Sequence, residues 1–237
     1  MDKSLFHSGV RPELVGCTLL DTIGLTLASV DPSLRKAADI PDELSAVGII
    51  SSRTGAAGQI SACDEAAKKT GVVPISIELP RDTKGWGGHG CYILFGGKTP
   101  SEVRRAVELA LDGIERNAGE VHISDAEHLE FAYSASASCF LNRAFSVPLG
   151  APFGFCAASP AAIGFVLADG IVKEHSTTLL RLLSPDRGTS HSNEVIAVFS
   201  GETEDVKRAV IDAKDAGLSL LRAMGSEPQS PGKPYLV

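Results

Sequence analysis

The sequence has few of the features that identify several large classes of protein. Aromatic residues make up 5% of its 237 residues, and no apolar run reaches the ~18 residues that a membrane-spanning helix needs. Its five cysteines are an odd number without a Cys-x-x-Cys pair, which argues against a disulfide framework and a structural zinc site. The 22 basic residues are outnumbered by 29 acidic ones, so the net charge of −7 disfavours nucleic acid as a partner.

Export signals and common catalytic motifs are missing as well. The first residues, MDKSLFHSGVRPEL, lack the basic-then-apolar order of a signal peptide, which predicts a cytoplasmic protein without membrane association. No GxSxG, HExxH or P-loop pattern occurs, and we expect no catalytic residue, no cofactor and no metal ion. Small and apolar residues are abundant: 43% of the chain is hydrophobic and 24 residues are glycine, which indicates closely packed globular cores.

The chain contains an internal repeat. The helical segment ISACDEAAKKTGV matches FVLADGIVKEHST, so that Asp64 falls on Asp169 and Lys68 on Lys173, each 105 residues later. VGIISS matches FGFCAA upstream of it, and ILFGGKTPSEVRRAVELA matches AVFSGETEDVKRAVIDA downstream. Because several blocks match in the same order, we predict a duplicated domain.

Each half is predicted to be an α+β domain. Apolar residues at helical spacing in SEVRRAVELALDGIERNAG and in EDVKRAVIDAKDAGLSLLRAMG indicate helices with one buried face. Short apolar runs predict about four antiparallel strands per copy, with the helices on one face of the sheet. We place the first domain at residues 1–120 and the second at 121–237, with Asn117–Glu130 as the join.

Two polar loops occupy matching places in the two halves. One lies in LPRDTKGWGGHGCY, residues 79–92, and contains four glycines, whereas the other lies in LSPDRGTSHSNEV, residues 183–195. Both are flanked by apolar runs that predict strands. Glycine permits positive φ and several conformations, which suits a loop that packs near an axis or moves.

These motifs together resemble the shell-protein domain of bacterial microcompartments. VGIISS, DEAAKK, ISIELPRDTKGWGGHG, LFGG and VRRAVE follow that family's order of first strand, helix with an outward lysine, pore loop, glycine-ended strand and second helix. The strand LTLASV precedes VGIIS, as in the circularly permuted variant. Two copies in tandem, with GTSHSNE and a closing GSEP…PY, resemble the trimer-forming shell proteins of the PduB and EtuB type over nearly the whole chain.

The resemblance implies a structural tile. Three chains of two domains would fill the six positions of a hexagonal tile, join other shell proteins, and let small polar metabolites such as alcohols, diols or amino-alcohols cross the shell. Lys68 and Lys173 match the lysine that packs across tile edges in this family. The implied pore-lining residues are, in the first loop, Pro80, Arg81, Asp82, Thr83, Lys84, Gly85, Trp86, Gly87, Gly88, His89 and Gly90, and, in the second loop, Ser184, Pro185, Asp186, Arg187, Gly188, Thr189, Ser190, His191, Ser192 and Asn193.

Other functions stay open on the residues alone. A duplicated α+β domain also suits a small-molecule sensor that binds a ligand between its copies. An enzyme would need a polar cluster, and His122, Asp125, Glu127 and His128 form one that would suit a metal or acid/base site. They fall in the predicted join, where no fixed scaffold is expected to hold them.

Three single residues in or beside the loops are ambiguous in the same way. Cys91 is either a strand residue or the ligand of an iron–sulfur cluster, as in some tandem shell proteins, and the strand interpretation is favoured. His89 and His191 are either titrating gate residues or polar loop residues without a role.

Overall fold

The fold repeats one run of elements twice. The structure, a computed structural model, describes residues 12–81 and 88–237. The first half contains β1 (Glu13–Thr18), β2 (Thr22–Leu27), α1 (Pro32–Ala37), β3 (Ala46–Ser52), α2 (Ala57–Thr70), β4 (Val73–Glu78), β5 (Cys91–Gly97) and α3 (Pro100–Asn117). The second half contains β6 (Val121–Ser124), β7 (Glu127–Ser134), α4 (Cys139–Phe145), β8 (Phe153–Ala158), α5 (Ala161–Glu174), β9 (Thr177–Leu183), β10 (Val195–Gly201) and α6 (Thr203–Ala223). Among the described residues, no helix is long and apolar enough to cross a membrane.

Each half forms one antiparallel sheet of five strands. The strand orders are β1-β2-β3-β5-β4 and β6-β7-β8-β10-β9. The predicted α+β class, with two tandem duplicated domains, is confirmed. Each sheet has one strand more than expected, because the outer strands β1 and β6 carry weak signals: β1 is largely exposed and contains a glycine, and β6 has four residues.

The segment Asn117–Glu130 is not a free join. Its residues 121–124 form β6, which pairs with β7 so that Val121 lies opposite Glu130 and Ser124 opposite Glu127. Most of the predicted join therefore belongs to the second sheet, because this hairpin buries histidine and glutamate side chains, which normally mark exposed segments.

A glycine under a phenylalanine occurs at the same place in both sheets. Gly48 of β3 lies opposite Phe95 of β5, and Gly154 of β8 lies opposite Phe199 of β10. A Cβ atom on either glycine would lie 2.5 Å or 2.3 Å from the neighbouring ring, so both positions require glycine to seat the phenylalanine. This shared feature aligns the two sheets residue by residue.

Helix α4 joins the cores of the two domains. Phe140 of α4 meets Phe95 of the first sheet edge-on, with 5.8 Å between ring centroids. Phe145, at the other end of α4, stacks on Phe153 of the second sheet at 5.6 Å. All four rings are buried and belong to one apolar cluster that runs across both domains. The two halves of the chain are therefore packed together.

Candidate functional site: the bases of the two loops

The C-terminal ends of the two polar loops meet inside the protein. His89 precedes β5 and Glu194 precedes β10, and the imidazole Nδ1 of His89 lies 2.7 Å from Oε1 of Glu194. Both residues are buried, at 2% and 0% exposure. The contact ties the first loop directly to the second one.

The other nitrogen of His89 faces a second carboxylate. Nε2 lies 3.4 Å from Oε2 of Glu130, a buried residue of β7. Oε1 of Glu130 accepts hydrogen bonds from the backbone N–H groups of Ala56 and Ala57, at 3.0 and 2.8 Å, at the N-terminus of α2. The positive end of that helix stabilises the carboxylate. Because both nitrogens of His89 face carboxylates, the arrangement requires a proton on each nitrogen.

A second buried histidine completes the cluster. Nε2 of His128 lies 3.3 Å from Oε2 of Glu194, and its Nδ1 lies 3.7 Å from Oε2 of Glu127. A Cβ atom on Gly88 would come within 2.8 Å of the His128 ring, so the first loop needs glycine there to pass over the ring. We refer to His89, His128, Glu130 and Glu194 as the charged hub.

Charge fixes the protonation of the hub. Burial alone would lower the pKa of His89, but the carboxylates of Glu194 and Glu130 outweigh it and raise that pKa to about 10. Burial alone would raise the pKa of Glu194, but the charge of His89 and the nearby His128 lower it to about 2. The pKa of His128 is raised by Glu127 and Glu194 against the opposing effect of burial. At neutral pH the hub therefore holds cationic His89 beside anionic Glu194.

The two ends of the first loop are joined by backbone contacts. The backbone N–H of Gly90 donates to the carbonyl of Pro80 at 2.8 Å, and Arg81 forms a bridge with His89. His89 and Gly90 are buried, whereas Pro80 and Arg81 are exposed. The remaining predicted pore residues of this loop, Asp82, Thr83, Lys84, Gly85, Trp86 and Gly87, lie outside the described residues.

The second loop is described in full and divides into two sets. Its exposed residues are Asp186, Arg187, Gly188, Ser190, His191 and Asn193, and Ser184 and Pro185 are half-buried. Thr189 and Ser192 are buried, and the Thr189 hydroxyl donates to the Ser192 carbonyl at 3.2 Å. The exposed residues can offer side chains to a solute, whereas the buried Thr189 and Ser192 hold the shape of the loop. The pore-lining role of both loops stays a prediction.

The two histidines that looked alike in sequence differ in environment. His191 is exposed and lies 3.4 Å from the exposed carboxylate of Asp186, whereas His89 is buried in the hub. The interpretation of His89 as a loop residue without a role is wrong, because a buried imidazolium between two carboxylates joins the two domains. Cys91 is a fully buried strand residue whose thiol has its pKa raised to about 12 by burial.

An open cavity of about 350 Å³ lies between the two domains beside the loop bases. Glu78 and Arg181 bring opposite charges to its wall, and Pro80 and Ser190 bring the two loops to it. Its other lining residues are Ile77, Leu79, Ala144, Phe145, Leu183 and Gly188.

The polar group considered for an enzyme does not form one site. His128 belongs to the hub, whereas Nε2 of His122 lies 3.2 Å from Oε2 of Glu120, a buried residue that also binds the C-terminal tail. Within residues 12–81 and 88–237, no three histidine, cysteine or acidic side chains are arranged to hold a metal ion.

Lys68 and Lys173 occupy equivalent helical positions with different contacts. Each pairs with the aspartate one turn earlier, Lys68 with Asp64 at 3.1 Å and Lys173 with Asp169 at 2.7 Å. Nζ of Lys68 also donates to the carbonyl of Ser136 in the second domain. The Lys68 side chain keeps 38% of its surface exposed and that of Lys173 keeps 70%, and their tile-edge role stays a prediction.

Sequence reasoning missed the acidic members of the hub. A signal for them exists: Glu130 and Glu194 each stand directly beside a strongly apolar run, FAY and VIAVF, in which a carboxylate would be buried. A buried carboxylate needs a charged or hydrogen-bonding partner. The sequence does not show that His89, 41 residues before Glu130 and 105 before Glu194, supplies it.

Comparisons with known proteins agree with this architecture. The BMC domain family matches residues 46–125, from β3 to the turn after β6. The microcompartment shell protein PduB of Citrobacter freundii is 42% identical over 224 residues, which cover 94% of this chain and 83% of that protein. The crystal structure of EtuB from Clostridium kluyveri superimposes with a TM-score of 0.91 at 42% identity, covering 94% of this chain and 98% of that one. A crystal structure of a trimeric PduB gives 0.90 at 38% identity, covering 94% and 99%. The chain shares its fold and 38–42% of its sequence with these proteins over 94% of its length. It therefore belongs to the PduB-type shell proteins of bacterial microcompartments.

Proposed function

We propose that this chain forms a trimeric shell tile through which small polar metabolites pass. Three chains supply six domains, and the loops Pro80–Gly90 and Ser184–Asn193 then alternate around the centre of the tile. Passage depends on the width, polarity and charge of the openings, and no bond is made or broken. The solutes are small alcohols, diols or amino-alcohols, and the neighbours in the shell are other microcompartment shell proteins.

The observation that carries this proposal is the link between the loop bases. A buried ion pair of 2.7 Å between His89 and Glu194 fixes the ends of both loops side by side. A fixed base is what a loop that lines an opening needs, because an opening selects solutes only if its width is reproducible. The exposed hydroxyl, amide and imidazole groups of Ser190, Asn193 and His191 suit hydrogen bonding to small polar solutes.

The relatives support the assembly as well. One crystal structure that matches this chain over 94% of its length is a trimeric PduB shell protein. The relatives named above are shell proteins and not enzymes, and they give no support to a ligand-sensing module. A location in the microcompartment shell follows from the same assignment.

Solution mass and electron microscopy test the tile. We expect light scattering to give the mass of three chains of 24.7 kDa each, and concentrated samples to form sheets with hexagonal packing. A single chain or a dimer that never forms sheets would remove the proposal. Lys173→Ala then tests the predicted tile edge: sheets should be lost while the mass of three chains stays.

Passage needs a separate experiment. A shell that contains this protein and encloses an alcohol-consuming enzyme should turn over external substrate more slowly when Asp186, exposed in the second loop, is replaced by tryptophan. Leu149→Trp is the matched control, because Leu149 is 69% exposed and lies outside both loops. Equal rates for the two variants would remove the second loop from the route of the solute.

A further inference from the structure

The C-terminal tail, residues 226–237, runs without a helix along the second domain. Oε1 of the buried Glu120, directly before β6, accepts hydrogen bonds from the backbone N–H groups of Tyr235 and Leu236. Nζ of Lys214, on α6, donates to the carbonyl of Leu236. Because Leu236 is only 1% exposed, the tail fills a groove between the start of β6 and helix α6.

The first domain has a groove at the equivalent place. Strands β2 and β7 are related by a shift of 107 residues, because Thr26 and Tyr133 lie opposite the equivalent glycines of their sheets. Through its partner in β2, Gly16 of β1 then takes the place of Glu120. An open cavity of about 230 Å³ lies there, which we call the β1–α3 groove. Its strand wall is residues 15–18, and its helix wall consists of Glu108, Leu111, Asp112 and Glu115.

The β1–α3 groove lacks the two side chains that hold the tail in the second domain. The motifs VRRAV and VKRAV align α3 with α6, so that Leu111 takes the place of Lys214, just as Gly16 takes that of Glu120. Leu111 is buried against β1, where a Cβ atom on Gly16 would lie 3.2 Å from it. The groove therefore offers neither the carboxylate nor the amine that binds the tail backbone.

The helix wall of the β1–α3 groove is acidic where the matching wall of α6 is apolar. Glu108 and Glu115 correspond to Ile211 and Leu218 of α6 in the alignment of the two motifs. Ile211 and Leu218 pack against the apolar cluster that includes Leu236. The two grooves therefore differ in the chemistry of the segment that they can hold, and an apolar tail does not suit the first one.

Two of the three acidic side chains in the helix wall are unpaired. Glu108 forms ion pairs with Arg104 and Arg105 of its own helix. Within residues 12–81 and 88–237, no basic side chain forms an ion pair with Asp112 or Glu115, and both residues are exposed. Residues three apart on a helix lie about 5–6 Å from each other, and alternate residues of an extended chain lie about 7 Å apart. Basic side chains at alternate positions of an extended segment therefore match these two carboxylates.

We propose that the β1–α3 groove binds an extended, basic segment of a partner protein, in the place that the chain's own tail occupies in the second domain. Alternate lysine or arginine side chains of the segment pair with Asp112 and Glu115. Its backbone lies beside β1, the outermost strand of the first sheet, as Gln229 of the tail pairs with Ile123 of β6. This contact adds a protein partner to the tile and is independent of the route of the solutes.

Cys17 reports on the groove directly, because it is exposed and belongs to the strand wall. We expect the peptide VKVKVKV, blocked at both ends, to slow the reaction of Cys17 with N-ethylmaleimide ~5-fold or more in the full-length protein, as measured by mass spectrometry of the Cys17 fragment. The blocked peptide VEVEVEV should leave the rate unchanged. A Cys17 that is unreactive without peptide would show that the groove is already covered, and would overturn the proposal.

A second copy of this chain is the alternative occupant, and its tail can be tested as a peptide. The blocked peptide QSPGKPYLV copies residues 229–237 and should protect Cys17 less than VKVKVKV does. Stronger protection by the tail peptide would assign the groove to the tail of a second copy and would contradict a basic partner.

Charge removal separates the groove from the net charge of −7. Asp112→Asn with Glu115→Gln should weaken the binding of labelled VKVKVKV ~5-fold or more in fluorescence anisotropy, and the effect should shrink at high salt. Asp215→Asn with Glu204→Gln is the matched control, because it removes the same charge from exposed positions of α6. Equal weakening in the two double variants would show binding to net charge alone and refute the site. A protein that has the mass of three chains but does not bind the peptide would remove the groove and leave the tile.

Discussion

Replacing His89 with glutamine removes the positive charge that joins the two loop bases. Glutamine keeps a hydrogen-bond donor, but it leaves the buried carboxylates of Glu130 and Glu194, 2% and 0% exposed, without the cation between them. Removing one partner of a buried ion pair costs about 3–5 kcal/mol. The raised pKa of His89 gives a similar upper limit for this loss in the free energy of unfolding. A rise from 6.5 to about 10 corresponds to about 5 kcal/mol at 1.36 kcal/mol for each pH unit.

The pH dependence gives this prediction its sign. Because the pKa of His89 is raised on folding, its contribution is complete below pH 6.5 and is lost as the pH rises towards 10. The pKa of Glu194 is lowered, so its contribution is complete above pH 4.5 and is lost as the pH falls towards 2. The stability of the parent protein relative to His89→Gln should therefore be greatest between pH 4.5 and 6.5 and should shrink towards pH 10.

Urea unfolding at fixed protein concentration measures this difference, and a double-mutant cycle isolates the pair. His89→Gln and Glu194→Gln should be non-additive by about 1–3 kcal/mol, since the residues are in direct contact. His191→Asn is the control, because His191 is exposed in the second loop at a positive φ that asparagine tolerates, and it should change stability by under ~0.5 kcal/mol. Parallel loss of stability in the parent and His89→Gln above pH 6.5, or additive single changes, would refute the charged hub.

Three further predictions concern other contacts of the fold. Asp64→Asn should lower the free energy of unfolding by about 1.5–3 kcal/mol, because a charged acceptor of several backbone N–H groups is lost. Asp169→Asn at the equivalent exposed position is the control and should cost under ~1 kcal/mol. Equal losses would contradict the capping of α4 by Asp64. Gly154→Ala should destabilise the protein by about 1–3 kcal/mol, because its Cβ would meet the Phe199 ring at 2.3 Å. Gly170→Ala on α5 has open space around its Cβ and should instead stabilise the protein by roughly 0.5–1 kcal/mol. Calorimetry of both variants checks the packing. Glu120→Gln should lower the free energy of unfolding at neutral pH, and the difference from the parent should shrink below pH 4.5. Burial alone would raise the pKa of Glu120, but His122, the tail N–H of Leu236 and Lys214 lower it, so its contribution is present above pH 4.5 and lost as the pH falls. Equal stabilities of the two proteins at pH 7 would contradict the role of Glu120 in holding the tail.

The periodic parts of the fold are predictable from sequence, and the contacts between the two domains are not. Helices α3 and α6 show their buried faces in the spacing of valine, alanine and leucine, and the repeat identifies the strands around Gly48 and Gly154. Strand β6 and the first residues of β7 escape prediction because His122, His128 and Glu130 make them look like a surface segment. A buried charge network has no period, and its members come from three separated segments of the chain.

The short helices mark the same limit. Helix α4 has seven residues and α1 has six, too few for a hydrophobic period to appear. The role of α4 comes from its packing against both domains, which only the arrangement of the domains reveals. Both polar segments lie between strands, as the flanking apolar runs predict, but the sequence does not separate buried from exposed residues, because Thr189, Ser190 and Ser192 all carry a hydroxyl group.

The buried charges of the hub lie at a contact between two domains of the same chain. The contact between the two domains forms during folding, and the covalent link between the domains holds them at high effective concentration. Buried charges are tolerated there because both carboxylates of the hub face the cationic His89, and Glu130 also accepts hydrogen bonds from N–H groups at the start of α2.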